Sequence, residues 1–223
     1  MMTNLFSTFD PSTSMMFSLN WMSTFMIVFM TPAMFWVTPS RYMMLMKIML
    51  NKLHNEFKML MGFNSKGLTL MFTSLFMFIM INNLFGLIPY IFTSSSHLTF
   101  TLALSLPMWI GLMMFGWINK TMSMLAHLIP VGTPPMLMPF MVVIETTSNL
   151  IRPGSLAVRL TANMIAGHLL MSLLGNNTNS SSKMVMWIFI AIQMLLMLFE
   201  TAVSIIQAYV FSILSTLYTS EVA

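Results

Sequence analysis

Arg159 stands apart in this 223-residue chain: it lies within AVRLTANMIAGHLLMSLL, and no other Lys, Arg, Asp or Glu follows it until Lys183. A guanidinium keeps its charge at every accessible pH. Holding one near the centre of a bilayer costs about 2.5–3.5 kcal/mol on insertion scales, so such residues face a bundle interior, a water cavity or a partner charge. The default reading of Arg159 is therefore a functional site. Glu145 and Glu200 are the only other charges deep in the later apolar segments, and both are titratable acids. One fixed cation beside titratable groups is an inventory suited to handling protons.

Spacing places these groups. Glu145 and Arg152 precede Arg159 by fourteen and seven residues, so at about 100° per residue the three project within about 40° of one another on a helix. Asn163 lies one turn beyond Arg159 and can orient a guanidinium. His168, nine residues on, projects to the opposite side of the same helix. On a later segment Gln193, Glu200 and Gln207 recur every seven residues, with Ser204 between the last two, and form one stripe of donors and acceptors. Interhelical hydrogen bonding is an equal alternative for Gln193 and Asn163. Glu200 and His168 form a pair able to pass a proton. Arg152 and Lys183 lie close to a Pro-Gly step or a polar turn and have room to snorkel toward headgroups. His54, His97 and His127 sit at interfaces or in loops and receive no role.

The elements that must position these groups are membrane helices. With 57% hydrophobic and 6% charged residues and a mean hydropathy of +0.85, the chain is far from the roughly 25% charged residues of globular domains. The fold class expected is all-α, a polytopic integral membrane protein of about five membrane-embedded helices plus one basic surface helix. A single membrane domain, 1–223, leaves no room for a soluble catalytic domain. A first span is expected over 14–37, with Pro32 as a tolerated kink and Trp36 near an interface. RYMMLMKIMLNKLHNEFKMLMGFNSKG follows, in which Arg41, Lys47, Lys52, Lys58 and Lys66 outnumber the single acid Glu56. That pattern predicts an amphipathic helix over 41–62 lying on the membrane. Charge-free sequence predicts spans at 68–88 and 97–118, and two long helices, 135–174 and 183–218, form a tilted hairpin with Pro153-Gly154 as a bend. Positive charge on 41–62 and at Lys120 fixes the matrix or cytoplasmic side. The N-terminus, with Asp10, then faces the opposite side.

Several function classes fall away. Cysteine is absent, which excludes disulfides and thiolate metal sites, and the four histidines are too dispersed for a local ligand motif. No cofactor and no metal are expected, and nucleic acid is not an expected partner. No protease or hydrolase motif lies in the spans. The 31 methionines follow no stripe, which reads as translational or mutational bias in an unusual genetic system. The first forty residues resemble neither a signal peptide nor a transit peptide, as expected of a protein made inside an organelle.

IRPGSLAVRLTANMIAGHLL, the later FETAVSIIQAYVFSIL and the INNLFGLIPY stretch over 81–90 resemble subunit a of the mitochondrial F-type ATP synthases, and the likeness runs along the whole chain. The resemblance implies a non-catalytic stator of the F0 sector, set with other stator subunits, b among them, against a rotating ring of c subunits in the bilayer. Two offset half-channels would lead protons to and from the ring carboxylates. Arg159 matches the family's essential arginine; His168 and Glu200 would line the half-channel on the intermembrane-space side, Glu145 the matrix-side path, and Asn163 and Gln207 flank the arginine. Bacterial relatives exchange the acidic and histidine positions, so the arrangement implies the mitochondrial inner membrane, with the N-terminus in the intermembrane space and the C-terminus in the matrix. The rival readings are an ion-coupled secondary transporter, for which no internal repeat is evident, and a non-conducting structural subunit, which would not need a charge at 159.

Overall fold

The computed structural model describes residues 5–13, 17–31, 37–62, 67–129, 132–180 and 182–222. Among them no strand occurs, and four helices are long and apolar enough to cross a membrane. The protein is an all-helical polytopic membrane protein.

The first apolar segment is described as a 3-10 turn run, Leu19–Phe25, followed by α1, Met26–Met30. The combined Leu19–Met30 helix is a shorter apolar one; its rise is about 20 Å against about 30 Å of hydrocarbon. Residues 14–16 and 32–36 of the expected 14–37 span, Pro32 and Trp36 included, lie outside the described residues, as does Lys66.

Helix α2, Arg41–Met61, begins where the Ser40 hydroxyl accepts from the Met43 amide at 3.4 Å and ends at Gly62, whose φ of 68° only glycine adopts without strain. Met46, Leu50, Leu53, Phe57 and Met61 recur at three- and four-residue steps and pack inward. Arg41, Lys47, Lys52 and Lys58 remain exposed, so the alternation of lysine and apolar residues resolves into one packed face and one basic face.

Helix α3, Leu68–Gly86, is predominantly apolar and supplies, among the described residues, four of the eight buried residues of the main core cluster, Phe76, Met77, Ile79 and Ile81. A buried Ser/Thr turn follows, in which Thr93 Oγ1 donates to Ser96 Oγ at 3.1 Å and Ser96 Oγ donates to the Thr93 carbonyl at 2.7 Å. These bonds satisfy hydroxyls that would otherwise be costly to bury. Helix α4, Leu98–Asn119, leads to the short α5, Thr121–His127.

The hairpin is built from α6, Met138–Ser180, and α7, Lys183–Val222. α6 stays helical through Pro153 and continues past the expected end near Leu174 into the polar turn sequence. Thr178 Oγ1 donates to the Gly175 carbonyl at 2.7 Å, which lets a polar residue persist in helix by satisfying itself locally. α7 packs on α3, α6 on α4, and the two long helices on each other. Phe76, Ile79 and Ile81 of α3, Leu156 and Leu160 of α6, and Ala208 and Phe211 of α7 form the shared core.

Candidate functional site

The antiparallel hairpin places two groups of polar residues at different levels. Toward the α6–α7 turn lies a cavity of about 970 Å³ whose wall includes His168, Ser172, Gln193 and Glu200. Glu200 is 9% exposed, and its carboxyl lies against the backbone of Gly167. A Cβ at Gly167 would fall 2.8 Å from Glu200 Cδ and 2.8 Å from Oε1, closer than non-bonded atoms approach. Glycine at 167 is thus what allows a carboxylate from α7 to stand beside the turn of α6 that carries His168. Oε1 of Glu200 and Nε2 of His168 are both buried without a hydrogen-bond partner.

Toward the free ends of the hairpin a second cavity, of about 480 Å³, is bordered by Glu145, Asn149 and Arg152 of α6, Glu221 of α7, and Trp109 and His127. Arg152 Nη2 donates to Glu145 Oε1 at 3.4 Å and Nη1 to Glu221 Oε2 at 2.9 Å, and the guanidinium carbon lies 5.1 Å from the centroid of the Tyr218 ring. Arg152 is therefore a clamp between the helices, not a side chain reaching for headgroups. Sequence reasoning missed Glu221 and Tyr218 because their partner, Arg152, is 69 residues from Glu221 and nearly as far from Tyr218 along the chain; no spacing rule spans such a gap.

Arg159 belongs to neither group. It is exposed and, among the described residues, makes no hydrogen bond or ion pair. Ala157 and Thr161 on the opposite side of α6, with Leu156, Leu160 and Met164 on one flank, are buried, which turns Arg159 outward with Ser155, Ala162 and Ala166 as small exposed neighbours. At 1.5 Å per residue it stands about 10 Å from the level of Arg152 and about 14 Å from that of His168. The face shared by Glu145, Arg152 and Arg159 is thus split in use: the first two are paired and the third is free. Asn163 and Gln207 are half-buried and line neither cavity. Asn83 of α3, wholly buried, donates to the Ser204 carbonyl of α7 at 3.4 Å and fixes that helix one turn from Glu200.

These features define a polytopic helical membrane protein whose outward arginine, unpaired among the described residues, stands between the levels of two cavities that each carry titratable groups. Residues 13–220 match the family model described as ATP synthase A chain. The chain is 60% identical over 224 residues to ATP synthase subunit a of Locusta migratoria, and 58% identical to the proteins of that name from Anopheles gambiae, over 225 residues, and Drosophila melanogaster, over 223. In each case all of this chain and all of the relative are covered. The chain belongs to the ATP synthase A chain family.

Proposed function

We propose that this protein is the proton-conducting stator subunit of the F0 sector of a mitochondrial ATP synthase, residing as one membrane domain in the inner membrane. Its N-terminus faces the intermembrane space and its C-terminus the matrix. Its partners are a ring of c subunits, other stator subunits including b, the lipid bilayer and protons, and the chemistry of ATP belongs to partner subunits.

The observation that carries this reading is the outward Arg159, unpaired among the described residues and set between cavities at two levels of the hairpin. A cation without a partner among the described residues, on a face of apolar and small residues, is complementary to a carboxylate brought by another subunit. The His168–Glu200 cavity serves as the half-channel from the intermembrane space, and the Glu145 cavity as the path to the matrix. A ring carboxylate arriving beside Arg159 is favoured in its ionised form and releases its proton to one cavity. The same cation repels protons that would pass straight between the cavities, so proton flow proceeds through ring movement. Asn163, one turn from Arg159, and Gln207 flank that encounter.

Reconstituted complexes bearing Arg159→Ala are the test, with ATP-driven and passive proton flux measured beside wild type and assembly verified in both. Coupled pumping should be lost in the assembled variant. Retained coupled pumping would reduce Arg159 to a structural part and favour a non-conducting scaffold.

A further inference from the structure

The N-terminal segment is fastened over the His168–Glu200 cavity by contacts that a loose tail would not make. Residues Leu5–Phe9 form a 3-10 turn packed against α6, and the Phe9 ring meets the His168 ring edge-on, centroids 6.2 Å apart. The Phe9 carbonyl lies 2.9 Å from Nε2 of His97. His97 is itself held between Phe92, stacked at 5.2 Å, and Trp21 at 5.3 Å. At the outer end of this strap the Asp10 carboxylate accepts from the Ser12 amide at 3.0 Å and the Ser12 hydroxyl at 2.8 Å. Asn20 Nδ2 donates to the Asp10 carbonyl at 3.2 Å.

Asp10 is thereby fixed on the cavity wall, whose titratable side chains are Asp10, Tyr90, His168 and Glu200, with His97 behind Phe9. It is exposed and has no ion-pair partner among the described residues, so its charge acts on the solution. The Ser12 amide and then its hydroxyl hold the carboxyl below the usual range, although an exposed aspartate is ionised at physiological pH in any case. His168 and Glu200 line the same cavity. A fixed negative charge at the opening of a low-dielectric funnel raises the local concentration of cations and their rate of arrival.

We propose that segment 5–12 is the built mouth of this cavity and that Asp10 is its proton-collecting carboxylate, steering hydronium toward His168 and Glu200. This rests on the half-channel reading given above. The test is the initial rate of proton flux through reconstituted complexes carrying Asp10→Asn, measured at low and high ionic strength and at weak and strong buffering. In low salt and weak buffer the rate should fall roughly two- to tenfold. The deficit should shrink as salt screens the charge, the Debye length being about 10 Å at 0.1 M, and as buffer delivers protons directly. Asp10→Glu should restore the rate, and Asp10→Lys should deepen the low-salt deficit. A rate equal to wild type under all conditions, or a deficit insensitive to salt and buffer, would overturn the proposal. Glu200→Gln, run in parallel, separates the two levels: its loss of flux with Asp10→Asn unaffected rejects the mouth alone, whereas flux surviving Glu200→Gln rejects the half-channel itself.

Discussion

Gly167 shows how a residue without a side chain can position one that has chemistry. Its absent Cβ leaves the space in which the Glu200 carboxyl lies, 2.8 Å from where that atom would be. Gly167→Ala must displace a carboxyl that has little room, since Glu200 is 9% exposed. Misplacement by about 1 Å costs up to roughly 10²-fold in a process that depends on geometry, so a fall of about 10- to 100-fold in proton flux is expected in fully assembled complexes. Gly111→Ala, at a glycine where an added Cβ would meet nothing within 4 Å, is the control that should keep wild-type flux. An unimpaired Gly167→Ala would mean that Glu200 works from another position. The sequence displayed His168 and Glu200 as candidates, but Gly167 looked like any small residue in a membrane helix, because only the approach of α7 gives it a task.

At the scale of elements, the open ends of α6 and α7 are joined by the Arg152 clamp. Its partners are accessible, with side-chain exposures of 27% for Arg152, 33% for Glu145 and 59% for Glu221, and the pairs border a cavity large enough for water. Screened ion pairs of this kind contribute about 0–1 kcal/mol each, and the contact with Tyr218 adds about 0.5–1 kcal/mol. Arg152→Leu should therefore lower hairpin stability by about 1–2 kcal/mol, seen as a reduced inactivation temperature of the assembled complex. In a double-mutant cycle between Arg152→Gln and Glu221→Gln the coupling should stay below about 1 kcal/mol. A much larger coupling would show that the clamp is dry and that the cavity beside it does not admit water. The i,i+7 relation of Glu145 to Arg152 was readable from the sequence, whereas Glu221 entered only through antiparallel packing.

Taken as a whole, the molecule exposes 15030 Å², whereas a compact water-soluble chain of 25.4 kDa would expose roughly 10,000 Å². Much of the surplus is apolar: Trp187 is 76%, Leu195 73% and Leu198 72% exposed on α7 alone. Such a surface belongs against lipid and other subunits. Orientation is a property of this scale, and the lack of native cysteine makes it measurable. Single-cysteine variants Phe6→Cys, Lys52→Cys and Ser220→Cys place a thiol at exposed positions. With the outer membrane removed, an impermeant thiol reagent should label Phe6→Cys and spare the other two; labelling of Lys52→Cys from that side would reverse the proposed orientation.

Composition, apolar run length and the isolated charge at 159 determined by themselves that this protein is helical, crosses a membrane several times and carries one cation that its own spans do not explain. Those properties are local, since hydropathy and helical periodicity act residue by residue. The tertiary structure alone decided that Arg152 is paired while Arg159 has no partner among the described residues, that Gly167 seats Glu200, and that Phe9 and Asp10 reach the cavity of His168. Each depends on groups brought together from distant parts of the chain by helix packing, which steric fit decides and sequence spacing does not encode.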